Sequence, residues 1–415
     1  MSSQILLSRA TVFDGVSSEL IENASVLIEG GIICEISQSD IHTKSSIAID
    51  CGNKFLMPGL IDCHYHAYAA HFDFHELKNM PKALLVAHAF RRLRGALHRG
   101  FTSVRDVGGG DIGLALALEY GLIEGPRFFF GGRAISQTGG HGDFRSSDST
   151  APLCACSGSE VIAHVVDGPE NIRKFCRETL RSGAHHIKVF ISGGVSSQAD
   201  PLWMPQLTNE EVRAAVSEAQ TRNAYVAAHC HTDEGAQRCV NLGVRTIEHG
   251  TNISEITAKS IAQKGDMFVV PTLAVNEQIR SHGLRIGLSA ESLQKITDVE
   301  SNVGASIGAC LAAGVSLGFG SDVIGTEFDH LQSREFALRG QFQSSLDVLR
   351  SATAINAKIL RQENMLGVVK VGAKADLILV RSNPLKNLRI LENASESLLL
   401  IMLNGKLVKN IMNLQ

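Results

Sequence analysis

Residues 54–66 read KFLMPGLIDCHYH, an apolar run that ends in two histidines one residue apart. Alternate side chains of a β-strand point to the same face, so His64 and His66 can both turn toward one point at the strand end. A divalent ion requires ligands placed in this way. In a chain with 16 histidines such a pair is a weak signature by itself. It gains weight from polar residues that follow other strand-like runs.

Beyond this stretch, strand-like runs alternate with helical ones between residues 59 and 364. The strand-like runs cover residues 102–106, 186–190, 224–229, 246–249, 267–271 and 315–320. An amphipathic stretch at 208–216 opens with a candidate helix cap, Thr208 or Asn209. Repeated strand–helix units predict a parallel sheet, and about eight of them predict a (β/α)8 TIM barrel. A doubly wound open sheet has the same periodicity, so the pattern alone leaves both architectures open.

Both ends of the chain have a different texture, with short strand-like runs separated by turns. Gly30-Gly31 lies between two alternating runs and is typical of a hairpin turn. We therefore predict a small β-sandwich formed jointly by residues 1–58 and 365–415, with the barrel at residues 59–364.

The composition excludes several classes of protein. With 415 residues, of which 44% are hydrophobic, the chain is long enough to bury roughly 75% of its unfolded surface. The balance of 39 basic and 42 acidic residues gives a net charge of −3, which predicts no nucleic acid or anionic membrane as partner. Nine cysteines without a Cys-x-x-Cys pair, and no secretory or membrane-spanning segment, predict a cytoplasmic protein.

Metal-ligand side chains recur where the strand-like runs end. They are His64, His66, Lys188, His229, His249 and Asp322. In a parallel barrel the C-terminal ends of the strands meet on one face, so residues distant in sequence can converge there. If these residues were buried independently of one another, each would need a polar partner of its own. The set therefore predicts a metal site.

Several motifs carry a resemblance to a known family. They are MPGLIDCHYH (57–66), GFTSVRDVGG (100–109), EGPRFFFGGRAISQTGGHGD (124–143), HHIKVFISGGV (185–195), AAHCHT (227–232), RTIEHGT (245–251), VVPTL (269–273), GFGSD (318–322) and KVGAKADLILV (370–380). Together they resemble the metal-dependent amidohydrolase superfamily, particularly its imidazolonepropionase-like and prolidase-like dipeptidase branch. The likeness spans nearly the whole chain.

The resemblance implies a binuclear centre with two divalent ions, zinc in the first instance. His64, His66 and Asp322 would bind the more buried ion, and His229 and His249 the second. Lys188 would be carboxylated by CO2 to N6-carboxylysine and bridge both. A free ammonium would repel two dications, whereas a carbamate offers them two anionic oxygens. The alternative is an unmodified Lys188 at the barrel rim.

The same resemblance implies hydrolysis by metal-bound hydroxide, because a water shared by two such ions has a pKa near 7. Asp322 would accept the proton of the attacking water and pass it to the leaving amine. His141 would contact the substrate and donate to its carbonyl oxygen. For His141 the alternative is a cap of a glycine-rich loop.

Two further residues are candidates for binding a substrate carboxylate. His231 stands where prolidase-like relatives often have tyrosine, and it should share the strand face of His229. Arg145 offers the bidentate fork that suits carboxylates, although a surface arginine is an equal alternative.

We therefore predict a hydrolase that cleaves the amide bond of a dipeptide or N-acyl amino acid with a free carboxylate, N-acyl amino acid toxins included. By resemblance the enzyme is a homo-oligomer. Lactone or carbamate hydrolysis on the same scaffold stays open. A mononuclear hydrolytic deaminase is the other alternative, because Glu234 follows His231 by three residues, but Lys188 favours the binuclear reading.

Overall fold

The computed structural model of the chain describes residues 4–43, 47–145, 161–197 and 200–412. Its strands in chain order are β1 (Gln4–Val12), β2 (Ile21–Glu29), β3 (Ile32–Ser37), β4 (Ile47–Asp50), β5 (Phe55–Pro58), β6 (Leu60–Tyr65), β7 (Phe101–Asp106), β8 (Arg127–Phe130), β9 (Ala134–Ser136), β10 (Ala163–Val165), β11 (Ile187–Phe190), β12 (Val226–Cys230), β13 (Thr246–His249), β14 (Phe268–Val270), β15 (Ser316–Leu317), β16 (Leu377–Val380), β17 (Leu398–Leu403) and β18 (Lys406–Asn410).

The α-helices are α1 (Phe74–Asn79), α2 (Lys82–His98), α3 (Ile112–Glu119), α4 (Pro169–Arg181), α5 (Asn209–Thr221), α6 (Asp233–Leu242), α7 (Glu255–Lys264), α8 (Leu273–His282), α9 (Ala290–Ala313), α10 (Arg334–Arg339), α11 (Ser345–Arg350), α12 (Asn356–Ile359) and α13 (Ala394–Ser397). Two 3₁₀ segments (Thr326–Ser333 and Leu388–Glu392) and a π-helical turn (Ser351–Ile355) complete the set. Within the described ranges, every helix is too short or too polar to cross a lipid bilayer.

The middle of the chain forms a closed parallel barrel. Strands β6, β7 and β8 pair in parallel, as do β11 to β15, while β9 pairs with β11 and β10 with β9. Backbone hydrogen bonds join these groups at both seams: His185 N donates to Phe130 O (2.9 Å), and Cys63 N donates to Phe319 O (2.8 Å). Because both seams are closed, the predicted (β/α)8 barrel is confirmed and the open sheet is excluded.

The local sequence explains why these elements form. Strand β11 is buried at every position, as expected for a parallel strand covered by helices on its outer face. Helix α5 begins with a capping box, in which Thr208 Oγ1 accepts from Glu211 N and Glu211 Oε2 accepts from Thr208 N. Its buried face includes Val212 and Ala219. Of the two candidate caps, Thr208 and Asn209, Thr208 is therefore the residue that caps the helix.

The two ends of the chain share one eight-stranded sheet in the order β18-β17-β16-β5-β1-β2-β3, with β4 on the other half of β1. Strand β5 pairs antiparallel with β16, so that Met57 lies opposite Ile378. The Gly30-Gly31 turn joins β2 to β3 with φ values of 59° and 80°, a conformation that glycine adopts without strain. The chain leaves this sheet between Pro58 and Leu60, and the predicted domain limits stay predictions.

Candidate active site

One cavity opens at the C-terminal ends of the barrel strands, with about 740 Å³ of space when its open mouth is included. With the exception of Arg145, every predicted site residue lines it: His64, His66, His141, Lys188, His229, His231, His249 and Asp322. These side chains come from strands β6, β11, β12 and β13 and from the loops that follow β6, β9, β12 and β15. The barrel therefore gathers residues that are far apart in the sequence.

His64, His66 and Asp322 form the first cluster of this cavity. The Nε2 atoms of His64 and His66 lie 3.4 and 3.2 Å from Asp322 Oδ1. The other ring nitrogens donate to protein oxygens, His64 Nδ1 to Glu248 Oε2 (2.8 Å) and His66 Nδ1 to Gly108 O (3.1 Å). These bonds select the tautomer whose Nε2 lone pair faces the carboxylate. Lone pairs and an anion this close repel each other unless a cation lies among them, so the cluster fits a metal ion.

His229, His231 and His249 form the second cluster. One ring nitrogen from each lies within 4.8 Å of one from each of the others. His229 Nε2 donates to Gly193 O (3.1 Å), and His249 Nδ1 is hydrogen-bonded to Thr272 Oγ1 (2.7 Å). Since each of these rings has one nitrogen held by the protein, the opposite nitrogen is available to a ligand. Imidazoles arranged in this way also fit a transition-metal ion.

Burial keeps the imidazoles of His64, His229, His231 and His249 neutral. It lowers the pKa of His64 to about 4 and that of His231 to about 3, and it holds the pKa values of His229 and His249 well below the usual range. The neutral ring is the form that binds metal ions. The cluster is therefore ready to bind metal at neutral pH.

Lys188 and Asp322 carry the opposite charges of the cavity. Burial lowers the pKa of Lys188 to about 8, against the attraction of Glu248 and Asp322. A buried lysine with a lowered pKa has a larger fraction of the nucleophilic neutral amine, the form that can react with CO2. Burial opposes the charge on Asp322, but the neighbouring His64 and His66 outweigh it and lower the pKa of this carboxyl.

The backbone is unusual at two of these positions. His249 has a φ of 67° and Asp322 a φ of 54°, in the left-handed region that residues with a Cβ seldom adopt. On a regular strand Glu248 and His249 would point to opposite faces. The turn at His249 breaks this alternation, so that Glu248 bonds His64 while the His249 ring packs 4.8 Å from the same histidine. Strain of this kind is common at functional sites.

His141 is held against the second cluster by the loop that follows β11. Its ring stacks on His229 with centroids 4.5 Å apart. Its Nδ1 is hydrogen-bonded to Ser197 Oγ (2.7 Å) and lies 3.2 Å from Asp200 Oδ2. A Cβ on Gly194 would lie 2.1 Å from the His141 ring, so only glycine permits this approach. The ring is thereby fixed with its Nε2 edge free of these contacts.

The arrangement agrees with a known family. A model of the amidohydrolase family matches residues 55–408, which is most of the chain. The chain belongs to the amidohydrolase family. This confirms the resemblance on which the sequence analysis relied, and it makes the protein a hydrolase of a metal-dependent family.

Three relatives show which members this amidohydrolase resembles. It is 30% identical to ochratoxinase of Aspergillus niger over 402 residues, which cover 90% of this chain and 80% of the relative. The crystal structure of a prolidase complexed with N-methylphosphonate-L-proline has a TM-score of 0.95 and 40% identity, and covers 98% of this chain and 100% of that chain. A Xaa-Pro dipeptidase with bound methionine in the active site has a TM-score of 0.88 and 28% identity, with coverage of 98% and 100%.

Arg145 stands apart from the other predicted residues of the amidohydrolase. Its guanidinium donates to both carboxylate oxygens of Asp143, from Nε (2.8 Å) and Nη2 (2.6 Å). It lines a neighbouring cavity, which borders the first one at Phe72, Phe74, Phe144 and Ser196. Its predicted role at a substrate carboxylate stays a prediction.

Sequence reasoning missed the carboxylate that holds His64. Glu248 is fully buried and accepts from His64 Nδ1 and from Arg105 Nη2 (2.7 Å), while Thr246 Oγ1 adds a third bond. Burial opposes its charge, but Arg105 and His64 outweigh burial and keep the pKa of Glu248 well below its usual range. The sequence signal that could have identified Glu248 was a charged residue inside an otherwise apolar, strand-like run. The loop residue Asp200 had no signal in any motif.

Proposed function

We propose that this amidohydrolase cleaves the amide bond of a dipeptide or N-acyl amino acid that carries a free carboxylate on the leaving side. The observation that carries the proposal is the first cluster, where the Nε2 atoms of two histidines lie within 3.4 Å of one carboxylate oxygen, beside a second group of three imidazoles. The names of the relatives, ochratoxinase and prolidase, support an amide next to an amino acid carboxylate.

The donor set suits two divalent ions, with zinc as the first candidate because imidazole and carboxylate ligands both suit it. His64, His66 and Asp322 would hold one ion and His229 and His249 the other, and Lys188, once N6-carboxylated, would supply a further anionic ligand. When bound, such ions lower the pKa of a shared water toward neutrality and polarise the scissile carbonyl.

The chain's own residues then move the protons and position the substrate. Asp322 is a carboxylate at neutral pH and lies at the centre of the first cluster, so it is placed to take a proton from the attacking water and deliver it to the leaving nitrogen. His141, with its Nδ1 held by Ser197, turns its opposite edge to the cavity and is our candidate for the carbonyl oxygen.

We assign the leaving carboxylate to His231 in preference to Arg145. His231 lines the cavity, and Thr251 Oγ1 holds its Nδ1 at 3.0 Å. Arg145 already binds Asp143 through two donors and lies in the neighbouring cavity. A substrate would have to compete with that pair to reach it.

The deaminase alternative requires Glu234 beside the reacting atoms. Glu234 is exposed in the first turn of α6 and is not among the described residues that line the cavity. This placement favours the amide hydrolase over the deaminase alternative. Lactone and carbamate hydrolysis remain alternatives for the same site, since the scaffold does not fix the bond that is broken.

The test is a substrate panel assayed with metal-reconstituted protein and with the same protein after chelation. The panel contains Xaa-Pro dipeptides, N-acyl amino acids, lactones, carbamates and aminopurines. We expect release of free amino acid from the first two classes, two ions per chain by elemental analysis, and fewer than two in Lys188→Ala. Ammonia release with one ion per chain, or turnover confined to lactones or carbamates, would contradict the proposal. Asp322→Asn prepared in parallel controls for contaminating hydrolases.

A further inference from the structure

Lys295 lies in the second turn of α9 and is buried. Proteins seldom bury a lysine unless its charge is paired. The ion-pair partner of Lys295 is Glu291, but the carboxylate oxygen lies 3.7 Å from the ammonium, beyond hydrogen-bond range, and the Glu291 side chain is largely exposed. A pair of this kind contributes little to stability. The burial of the ammonium therefore requires another explanation.

The ammonium of Lys295 holds the loop that follows β11. Its Nζ donates to three main-chain carbonyls of this loop, Ser197 O and Asp200 O at 2.9 Å and Gly194 O at 3.4 Å. An ammonium has three N–H donors, so each donor has one acceptor. Within its described residues, 191–197 and 200–206, the loop contains a β-bridge but neither helix nor strand. Helix α9 therefore supplies, through one side chain, a restraint that regular structure would otherwise provide.

The same three loop residues also hold His141. Ser197 Oγ is hydrogen-bonded to His141 Nδ1 at 2.7 Å, and Asp200 Oδ2 lies 3.2 Å from the same nitrogen. Gly194 lies directly against the ring, since a Cβ at this position would come within 2.1 Å of it. Each residue that binds the ammonium through its carbonyl therefore contacts the imidazole as well. This coincidence connects a lysine outside the cavity to a histidine that lines it.

Further hydrogen bonds make the loop and His141 one connected unit. The fully buried Asp200 accepts from Gly194 N (2.9 Å) and from Gln206 Nε2 (3.1 Å), and Gln206 Oε1 accepts from His141 N (2.9 Å). A shift of the loop carbonyls would therefore move the partners of the His141 ring together. A misplacement of about 1 Å at a reacting group can cost about 100-fold in rate.

We propose that Lys295 is a positioning residue of the active site, whose ammonium fixes the loop after β11 and thereby the orientation of His141. The inference rests on the proposed function, in which His141 acts on the scissile carbonyl. A hydrophobic side chain could fill the same space on α9 without the cost of desolvating a charge. The charge is retained for its three donors. Lys295 does not line the cavity, so it acts on the reaction only through the loop.

The first test is a double-mutant cycle between Lys295→Met and His141→Ala, measured on the zinc-loaded enzyme with the amide of the panel that is cleaved fastest. Methionine keeps most of the length of the side chain but lacks the ammonium. In the wild-type background we expect kcat to fall by about 10- to 100-fold while KM changes by less than about threefold. In the His141→Ala background the same substitution should change kcat by less than about threefold, because the group that it positions is absent. An unchanged kcat in the single variant, or an equal loss in both backgrounds, would overturn the inference.

Two control variants separate positioning from stability. Val303→Ala removes buried methyl groups from the same helix, away from the loop and the cavity, and should lower the urea midpoint while kcat stays at the wild-type value. Glu291→Gln removes the exposed ion-pair partner and should change neither quantity. If Val303→Ala lowered kcat as much as Lys295→Met does, the role of Lys295 would be stability alone. If Lys295→Met does not fold, Lys295→Gln, which keeps two donors on a shorter stem, takes its place in the cycle.

A readout that needs no turnover separates this inference from the proposed function. In zinc-loaded protein labelled with ¹⁵N-histidine, the His141 ring resonances are identified by their loss in His141→Ala. Lys295→Met should shift the Nδ1 resonance, because Nδ1 is the atom that Ser197 and Asp200 contact, and Val303→Ala should not. If no amide of the panel is cleaved, the proposed function fails, and this resonance still decides whether Lys295 fixes His141. If amides are cleaved but neither the resonance nor kcat changes in Lys295→Met, only the inference fails.

Discussion

Replacement of Glu248 by glutamine tests whether the buried carboxylate behind the first cluster prepares His64 for metal. Glu248 accepts from His64 Nδ1 at 2.8 Å with one oxygen and from Arg105 Nη2 at 2.7 Å with the other. Both partners are donors, and glutamine has a single acceptor oxygen. Its amide NH2 must therefore face a donor, and one of the two bonds is lost in either orientation.

The size of the effect follows from which bond is lost. Removal of the partner that orients a metal-binding histidine lowers metal affinity by about 10- to 100-fold. Arg105 is fully buried, and Glu248 is its ion-pair partner. Leaving a buried charge without its counter-ion costs about 3–5 kcal/mol of unfolding free energy. We expect Glu248→Gln to lower both the metal affinity and the unfolding free energy. Which of the two falls more depends on whether the amide NH2 faces His64 or Arg105.

The assay measures zinc retained against graded chelator, and urea unfolding of the metal-free protein. Glu335→Gln is the matched control, because Glu335 is equally buried but lies away from the cavity and accepts from the backbone of Leu273 and Ala274. The control should keep the metal affinity of the wild type. If Glu248→Gln also retained zinc and stability like the wild type, the reasoning about Glu248 would be refuted.

Three further predictions concern proton transfer, positioning and pH. Asp322→Asn should lower kcat by about 10²- to 10⁴-fold while elemental analysis still finds bound metal; unchanged turnover would remove Asp322 from proton transfer. Asp200→Asn should lower kcat at least about tenfold by loosening His141, more than it changes KM; a change confined to thermal stability would make Asp200 merely structural. Burial raises the pKa of Glu335 from 4.5 to about 8, so the native state keeps a proton that the unfolded state loses. The unfolding free energy of the metal-free protein should therefore fall as pH rises between these values, by at most about 1.4 kcal/mol per unit. Glu335→Gln should flatten this slope in urea titrations, and an equal slope would contradict the assignment.

The barrel and the assembly of its cavity were predictable because strand–helix alternation and the ends of parallel strands follow simple geometry. His64 and His66 share a strand face by the period of two, and the structure places both beside Asp322. The same rule fails in β13. Glu248 and His249 are adjacent, yet both serve the site because His249 has a φ of 67°. A backbone outlier of this kind leaves no mark in side-chain periodicity.

Contacts made by loop residues could also not be predicted from the sequence. Arg145 donates to Asp143, two residues away, through Nε and Nη2, and nothing in the sequence indicates this pairing. Asp200 reaches His141 only because the loop after β11 folds back over the barrel mouth. The partner of a flexible charged side chain depends on which groups lie near it in the folded structure. The composition of the chain does not reveal this.

The shared sheet of the two chain ends has a consequence for synthesis on the ribosome. Strand β5 leads through Gly59 into β6, and Gly59 N donates to Asp376 O at 2.8 Å. Translation must therefore pass through nearly the whole barrel, roughly tens of seconds at about 5–20 residues per second, before β5 acquires its neighbour β16. During that interval β5 has an open edge, which makes the unfinished polypeptide a natural client for chaperones.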